Sequence, residues 1–244
     1  MSQSDIAHWA YHASGPFEGA EPKSSLRALA SLYSENIHLV ARVDSGINSV
    51  QDLIGRKVSI DEIGSGTLFD GRLILSAFNI ELADIDPVYL KPKDSIERFR
   101  NNQLDAFILV AGYPVQQIAD LVDDGKAMVL PIQGENVKKL VEEYQFLSED
   151  ILPAGTYQNK TDIKTLTVSA KIIVNENLDE ELVYQLSKTL WSEKTTETLR
   201  AGHPIGEAIS IDNAVKGVSI PLHPGAERYY REQGIDISRI PQSE

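Results

Sequence analysis

The sequence predicts an α/β protein in which strands alternate with helices around a largely parallel sheet. Apolar runs of β type, such as LDAFILV at 104–110, are separated by segments whose apolar residues recur at helical spacing. Such alternation is typical of βαβ units and is too regular for a helical bundle or a β-sandwich. With 244 residues, of which 42% are hydrophobic, the chain can form one large domain or two small ones with real cores.

The first half of the chain is predicted to alternate between the two kinds of element. A helix at 24–33 begins at a Ser cap, and the β-rich run IHLVARV follows at 37–43. In order, strands are predicted at 5–12, 37–43, 57–61, 86–91 and 104–110, and helices at 24–33, from the turn at 64–67 to about 77, and at 94–102. The turn at 64–67 is therefore predicted to join a strand to a helix.

The second half contains a strongly periodic helix. Val115, Ile118, Ala119 and Val122 recur at i, i+3, i+4 and i+7, and Gly125 follows as a C-cap candidate. The remaining elements are predicted as strands at 127–132 and 166–174, and as helices at 137–144, 179–200 and 225–233. The last of these strands begins with clean apolar–polar alternation, so one of its faces is predicted to be buried.

Charge and composition argue against several functional classes. The chain has 23 basic and 36 acidic residues, a net charge of −13, whereas a nucleic-acid-binding protein needs clustered Lys and Arg. The absence of cysteine excludes disulfides, thiol catalysis and cysteine-ligated zinc. No apolar run approaches the roughly 18 residues of a membrane span, and the N-terminal stretch MSQSDIAHWAYHASG does not have the pattern of a signal peptide. We therefore expect neither nucleic-acid binding nor direct membrane insertion.

The stretch IDEIGSGTLFDG contains the clearest candidate binding turn. A strand ends there, a Gly-Ser-Gly-Thr turn follows at 64–67, and a helix begins. Glycines allow close approach, the first helical N–H groups are unpaired, and Ser65 and Thr67 add hydroxyl groups, which together suit a carboxylate or a phosphate. The alternative is that these residues only cap the helix. The dinucleotide and P-loop motifs both fail, because Phe69 and Arg72 stand where they need Gly and Lys.

No catalytic constellation is recognisable in the sequence. The five histidines, none with a metal-binding spacing, are His8, His12, His38, His203 and His223. His8 and His12 are expected to lie too far apart on a strand for shared ligation. No G-x-S-x-G motif is present, and adjacent acidic pairs do not face each other on regular structure. The scarcity of candidate catalytic residues favours a binding protein over an enzyme. No catalytic residue, metal or cofactor is assigned.

Two further segments carry aromatic side chains near glycine turns. Trp9 and Tyr11 would share one face of the predicted first strand, where core packing is the alternative interpretation. In VAGYPV at 110–115, Gly112 and Tyr113 stand at the C-terminal end of a strand. Ligands gather at such ends in open parallel sheets, so both segments are candidates for ligand contact.

Together these stretches resemble the TAXI family, the TRAP-associated extracytoplasmic immunogenic solute-binding proteins. The resemblance is carried by SDIAHWAYHASGPFEG, LRALASLYSENIHLVARVDSGINSVQDLIGRKVSIDEIGSGT, DAFILVAGYPVQQI, ILPAGTYQNKTDIKTLTVSA and IPLHPGAERYYREQG. They run from near residue 3 to near residue 235 and so cover almost the whole chain. The central GSGT and the C-terminal IPLHPGAERYYREQG are both specific.

The resemblance implies a type II periplasmic-binding-protein fold, in which crossover strands join two α/β lobes that hold a ligand in the cleft. Lobe 1 would comprise residues 1–45 and 165–244, and lobe 2 residues 46–164. It also implies a periplasmic or extracytoplasmic receptor for a small carboxylate, such as glutamate, glutamine or a 2-oxo acid. The loaded receptor would deliver this ligand to the ion-driven permease subunits of a TRAP transporter.

Ligand residues are carried over only at positions that match the family. The resemblance assigns ligand contacts to the turn residues Ser65, Gly66 and Thr67, to the loop residues Gly112, Tyr113 and Pro114, and to Trp9 and Tyr11 from the other lobe. The segment PLHPGAERYY is interpreted as structural, a helix that begins at a proline.

The chain departs from the family at its front. Family members have a signal, a leading strand, a G-T-G-G turn and a Tyr-rich helix before the position of Met1 here. Lobe 1 is therefore expected to lack one wall of the cleft, and the chain to be weakly stable or to self-associate. Two other functions stay open: a non-transport sensory or interaction module, and a transferase-like enzyme whose base would be Asp61, Glu62 or Asp70.

Overall fold

The computed structural model describes residues 1–202 and 204–242. Within that range the chain is a mixed α/β protein, as the sequence predicts. It divides into two compact units: unit 1 comprises Met1–Ser34 and Val168–Glu244, and unit 2 comprises Glu35–Thr167. One of the histidines considered above, His203, lies outside the described residues.

The described part of the chain contains eight strands and eight helices, with short 3-10 turns between them. The strands are β1 (Ser2–Gln3), β2 (Leu26–Arg42), β3 (Lys57–Ser59), β4 (Asp86–Val88), β5 (Ala106–Ala111), β6 (Ala127–Leu130), β7 (Ser148–Leu152) and β8 (Ile163–Asn175). The helices are α1 (Ser4–His12), α2 (Gly66–Ala77), α3 (Pro92–Arg100), α4 (Gln116–Asp123), α5 (Glu135–Glu143), α6 (Glu180–Leu190), α7 (Glu193–Gly202) and α8 (Pro224–Glu232). Strands β2 and β8 are the longest.

The strands of unit 2 form a mixed sheet, so the prediction of a largely parallel sheet is wrong. Strand β5 pairs antiparallel with β2, Asn36 opposite Ala111, and parallel with β3, Ser59 opposite Phe107. Strand β4 lies parallel to β3, whereas β6 pairs antiparallel with β2 and β7 antiparallel with β8. Antiparallel neighbours need no crossover helix, so an alternating order of elements does not by itself require a parallel sheet.

Each unit has its own apolar core. In unit 1 the core includes the buried side chains of Ala28, Leu29, Val183, Leu222 and Tyr230. In unit 2 it includes those of Val40, Phe99, Phe107, Ile118 and Leu152. The rings of Phe99 and Phe107 meet edge to face with centroids 5.0 Å apart, a favourable aromatic geometry at the centre of unit 2.

Two elements near the N-terminus were predicted with the wrong type. Residues 5–12 belong to helix α1, not to a strand, and the buried Ala7 and Ala10 have the i, i+3 spacing of a helix. Residues 24–33 do not form a helix; most of them are the first part of strand β2, in which residues 27–32 are all buried. Burial on both faces overrides the helix propensity of the Leu and Ala residues there.

Two predictions in the second half are also wrong. The strand at 166–174 is predicted to bury one face, but residues 165–171 of β8 are all buried, including Thr167 and Lys171. Residues 179–200 form two helices, α6 and α7, instead of one. The break falls where Ser192 Oγ accepts a hydrogen bond from the Thr195 amide at 3.4 Å, which caps the second helix.

The other predicted elements are confirmed to within a few residues. Helices α2, α4, α5 and α8 and strands β3 to β6 overlap their predicted ranges, whereas the short strands β1 and β7 were missed. Helix α3 begins at Pro92, slightly before its predicted start. Gly125 follows α4 with a φ of 68°, a left-handed conformation that glycine adopts without strain.

The segment PLHPGAERYY starts helix α8 in unit 1. Pro224 takes the first helical position and His223 is the N-cap, whose Nδ1 accepts a hydrogen bond from the Gly225 amide at 3.2 Å. His223 Nε2 lies 3.1 Å from the carbonyl oxygen of Leu178, to which it donates. This histidine therefore ties the helix start to the chain before α6, which is a structural role.

Helix α8 packs closely on α6, and Gly225 permits the approach. A Cβ atom at position 225 would lie 2.2 Å from the carbonyl oxygen of Glu180 and 2.7 Å from the amide nitrogen of Tyr184. Arg228 adds ion pairs with Glu180 and Glu181, at 2.9 and 2.6 Å. These pairs are exposed and screened by solvent, so the close backbone approach is the stronger constraint.

Replacement of Gly225 by Ala is expected to lower the free energy of unfolding by roughly 1–3 kcal/mol, because the new methyl group meets backbone atoms that cannot turn aside. Urea unfolding of the two proteins measures this difference. Gly202→Ala is the control, since a Cβ at Gly202 meets nothing within 4 Å. Equal stability of Gly225→Ala and wild type would contradict the close packing of α6 and α8.

Lys171 is a buried lysine in strand β8. Its side chain is 1% exposed, and Nζ donates a hydrogen bond to the Lys216 carbonyl at 2.9 Å. No carboxylate pairs with it among the described residues. Burial lowers the pKa of this amine from 10.5 to about 7, because the charged form loses its hydration.

The free energy of unfolding should therefore fall as the pH is lowered from about 10.5 to about 7. In that window the unfolded state binds a proton at Lys171 that the folded state does not bind. Lys171→Met should remove this contribution, so the stability difference between variant and wild type should grow toward pH 7 and stay constant below it. Urea unfolding at a series of pH values checks this, and parallel pH profiles would contradict it.

Candidate ligand-binding site

Three of the predicted ligand residues lie where helix α2 begins. Ser65 is the N-cap, and its Oγ accepts a hydrogen bond from the Leu68 amide at 3.2 Å. Gly66 and Thr67 follow in the first helical turn, where N–H groups have no acceptor within the helix. Ser65 therefore does cap the helix, as the alternative interpretation predicts. Its side chain accepts from only one of the first-turn amides, that of Leu68.

The chain before this helix is held in a defined turn. Asp61 and Gly64 have positive φ values of 70° and 89°, conformations that Asp tolerates and glycine adopts freely. Asp61 Oδ1 accepts a hydrogen bond from the Glu62 amide at 2.7 Å, and the Ser65 amide donates to the Glu62 carbonyl at 3.1 Å. Ser65 is half-buried, whereas Thr67 is buried at 6% exposure. Ser65 is thus the more accessible hydroxyl of the two.

The loop after strand β5 carries three more of the predicted residues. Gly112 and Tyr113 are half-buried, Pro114 is exposed, and the peptide bond between Tyr113 and Pro114 is cis. Tyr113 packs against the core of unit 2. Burial raises the pKa of its phenol, and the nearby charge of Asp150 raises it further.

The parallel pairing of β3 and β5 brings this turn and this loop to one edge of the sheet in unit 2. Ser59 lies opposite Phe107, and both strands run on to their carboxyl ends, where residues 65–67 and 112–114 follow. Ligands of open α/β sheets bind at such an edge. Six of the eight predicted site residues are therefore brought to the same part of one unit.

A buried hydrogen-bond chain holds Val115, the residue that follows this loop. The Val115 amide donates to the Tyr157 hydroxyl at 2.9 Å, which lies 2.9 Å from His38 Nε2. His38 Nδ1 lies 3.0 Å from the Asn36 carbonyl. Burial lowers the pKa of His38 to about 4 and raises that of Tyr157 to about 12. Both side chains are therefore neutral at neutral pH.

Asp150 supplies a negative charge close to the same loop. Its Oδ2 accepts a hydrogen bond from Asn36 Nδ2 at 3.1 Å, and its Oδ1 accepts one from the Ile151 amide at 2.9 Å. Asn36 Oδ1 is buried with no hydrogen-bond partner among the described residues. A half-buried carboxylate and a free amide oxygen are both groups that accept hydrogen bonds from a cation.

Trp9 and Tyr11 lie in helix α1 of unit 1, so the prediction that they share a strand face is wrong. Residues two apart on a helix point to different sides. Trp9 is 4% exposed, and a Cβ at Gly15 would lie 2.9 Å from its ring, so Trp9 fills the space that this glycine leaves. Tyr11 is half-buried and packs against the core of unit 1. In unit 1 both side chains therefore make the core contacts that the alternative interpretation expects.

The helical conformation also changes the prediction for two histidines. His8 and His12 are four residues apart on α1, and their ring centroids lie 4.5 Å apart, so the expectation that they are distant is wrong. Burial and the neighbouring His12 lower the pKa of His8. Among the described residues, no group of three or more His, Asp or Glu side chains is placed to hold a metal ion.

Sequence reasoning did not identify Tyr157, Asp150 or Asn36, and it noted His38 only as a strand residue. Tyr157 lies in the loop between β7 and β8, 42 residues after its partner Val115. No local spacing signals such a contact. The available sequence signals for this contact are a Tyr in a loop that contains Gly and Asn, and a histidine within a predicted strand.

The described chain is thus an α/β protein with two compact units, and the turn and the loop named above follow two parallel strands of unit 2. The chain belongs to the NMT1-like family, whose family profile matches residues 1–234, and this family is of the periplasmic solute-binding type. None of the helices among the described residues combines the length and the apolar character needed to cross a membrane.

Several solved structures are similar to this chain. They include the alkanesulfonate-binding protein SsuA from Xanthomonas axonopodis pv. citri bound to MOPS, at 16% identity, a TM-score of 0.39, and coverage of 86% of this chain and 60% of that one. A P235GK mutant of ArgBP from T. maritima matches at 14% identity and a TM-score of 0.38, covering 76% and 61%. A TctC solute binding protein from Polaromonas matches at 12% identity and a TM-score of 0.49, covering 82% and 66%. The chain thus spans about 60% of the length of the first two.

Proposed function

We propose that the protein is an extracytoplasmic receptor that binds a small carboxylate and delivers it to the ion-driven permease subunits of a TRAP-type transporter. The observation that supports this best is the start of α2, where the Ser65 cap is followed by the first-turn amides of Gly66 and Thr67. Membership of a solute-binding family supports the receptor role. The resemblance to the TAXI family supports the transporter type and a periplasmic or extracytoplasmic location.

The chemistry of the turn suits a carboxylate. A helix start presents N–H groups and the positive end of the helix dipole, so an anion is held without a basic side chain. The net charge of −13 gives no general attraction for anions, so the local amides must supply it. In this proposal Ser65 and Gly66 contact the ligand directly, and Thr67 adds its amide.

The neighbouring loop would form a second part of the site. Gly112 leaves room for the ligand, and Tyr113 and Pro114 offer an apolar surface with one phenol group. Asp150 has no ion-pair partner among the described residues and lies close to Tyr113. It favours a ligand that also carries an ammonium group, so glutamate or glutamine fits better than a 2-oxo acid.

Two other parts of the proposal rest on the resemblance to the TAXI family. These are the ligand contacts of Trp9 and Tyr11 and the division into lobe 1 (1–45 with 165–244) and lobe 2 (46–164). A permease partner agrees with the solute-binding family, while its TRAP type comes from the resemblance.

The enzyme alternative gains no specific support from the acidic residues near the turn. Asp61 Oδ1 is bonded to the Glu62 amide, and Glu62 faces Lys91 at 3.9 Å on exposed surface. Asp70 is 1% exposed within helix α2. A general base must be able to reach its substrate, which the burial of Asp61 and Asp70 disfavours.

A thermal-shift panel tests the proposal with L-glutamate, L-glutamine, 2-oxoglutarate and succinate as probes. A bound probe at about 100 times its Kd should raise the Tm by roughly 5–10 °C, because binding to the folded state alone stabilises it. The amino acids should give the larger shifts. If no probe raises the Tm, the proposed function is wrong.

Ser65→Asp separates ligand binding from helix capping. Asp caps a helix as well as Ser does, so the Tm without ligand should change little, while its charge should repel a carboxylate and abolish the shift. Ser192→Asp is the matched control, because it makes the same change at the N-cap of α7. A ligand shift that survives in Ser65→Asp would contradict a carboxylate site at this turn.

A further inference from the structure

The backbone directly after the loop at 112–114 is bonded to a side chain from a distant loop of unit 2, that of Tyr157. The Tyr157 hydroxyl accepts a hydrogen bond from the amide of Val115, the N-cap residue of α4, at 2.9 Å. Val115 follows Pro114 directly, so this bond fixes the point at which the loop passes into the helix. Tyr157 itself is 4% exposed, so the bond forms away from solvent.

The hydrogen bonds around Tyr157 have a single consistent direction. The Asn36 carbonyl can only accept, so His38 Nδ1 carries the proton and His38 Nε2 is an acceptor. The Tyr157 hydroxyl therefore donates to His38 Nε2 and accepts from the Val115 amide. The Val115 amide, the Tyr157 hydroxyl, the His38 ring and the Asn36 carbonyl are thus hydrogen-bonded in sequence, which is an arrangement that orders a buried network.

The loop that carries Tyr157 is held by hydrogen bonds of its own. The Tyr157 amide donates to Asn159 Oδ1 at 2.9 Å, and Asn159 Nδ2 donates to the Pro153 carbonyl at 3.0 Å. The Gly155 amide donates to the Asn159 carbonyl at 2.9 Å. At the other end, His38 is fully buried in strand β2. The Tyr157 hydroxyl is therefore positioned by its own loop and by His38 of strand β2. Its place in turn sets the position of the Val115 amide.

We propose that Tyr157, oriented by His38, is the positioning residue of the Tyr113–Pro114 loop. It touches no ligand in this role and acts through the Val115 amide. The inference rests on the proposed function only in its last step, where a fixed loop gives tighter ligand binding.

The protonation states agree with this role across neutral pH. The pKa of His38 lies at about 4 and that of Tyr157 at about 12, so the donor and acceptor directions do not change between these values. Tyr157 is the titratable group that hydrogen-bonds the His38 ring, and Asp150 hydrogen-bonds the side chain of Asn36.

Tyr157→Phe removes the hydroxyl and keeps the ring. NMR hydrogen exchange should show the Val115 amide exchanging roughly tenfold faster, because its acceptor is lost. The amides of β5, such as Phe107 and Ile108, should change by less than about twofold. The ¹⁵N resonance of His38 Nε2 should move toward the value of an unbonded nitrogen, while Nδ1 stays protonated.

Rescue at position 38 separates positioning from packing. In His38→Gln the side-chain oxygen can accept from the Tyr157 hydroxyl, so the Val115 amide should stay protected from hydrogen exchange. In His38→Leu no such acceptor is present, and the Val115 amide should lose this protection. If Val115 exchange is unchanged in Tyr157→Phe, or if all β5 amides speed up by the same factor, Tyr157 has only a packing role and the proposal is overturned.

Calorimetric titration with L-glutamate tests whether a fixed loop gives tighter ligand binding. Tyr157→Phe should bind roughly five- to tenfold more weakly than wild type. Tyr184→Phe is the control, because it removes a hydroxyl that donates to Glu232 on the exposed surface of unit 1, and this variant should bind like wild type. Equal affinity of Tyr157→Phe and wild type would overturn a positioning role. Failure of the wild type to bind L-glutamate would count against the proposed ligand, while the exchange data would still decide the role of Tyr157.

Discussion

The parallel pairing of β3 with β5 is the constraint on which the candidate site depends. With Ser59 opposite Phe107, the two strands end at one edge of the sheet in unit 2, and the segments that follow them emerge there. One segment becomes the capped start of α2, and the other becomes the Tyr113–Pro114 loop. In the proposed site, the capped helix start is the polar part and the half-buried aromatic loop is the apolar part.

Backbone and side-chain hydrogen-bonding groups have different roles at this edge of the sheet. Backbone amides at the start of α2 are available for an anion, whereas the loop is fixed by the Tyr157 hydroxyl and the neutral His38. Asp150 adds a negative charge beside Tyr113. The proposed site would therefore combine opposite potentials within one unit, which suits the proposed ligand with both a carboxylate and an ammonium group.

The sequence predicted those elements whose local signals agree with their packing. The Gly-Ser-Gly-Thr turn and the i, i+3, i+4, i+7 pattern at 115–122 gave α2 and α4. Sequence patterns mispredict the elements whose type burial decides. Residues 27–32 are buried on both faces and form a strand despite their Leu and Ala residues, and the predicted strand at 5–12 is helix α1. The Tyr157–Val115 bond joins residues 42 positions apart, so no local pattern predicts it.

Residue-resolved NMR titration with L-glutamate tests the carboxylate turn most directly. We expect saturable shifts of the Gly66 and Thr67 amides, with smaller shifts at Gly112 and Tyr113, because amides that bind an anion respond most strongly. The amides of α8, such as Tyr230, should stay in place and report that the fold is unchanged. Saturable binding that leaves Gly66 and Thr67 unshifted would contradict the carboxylate turn.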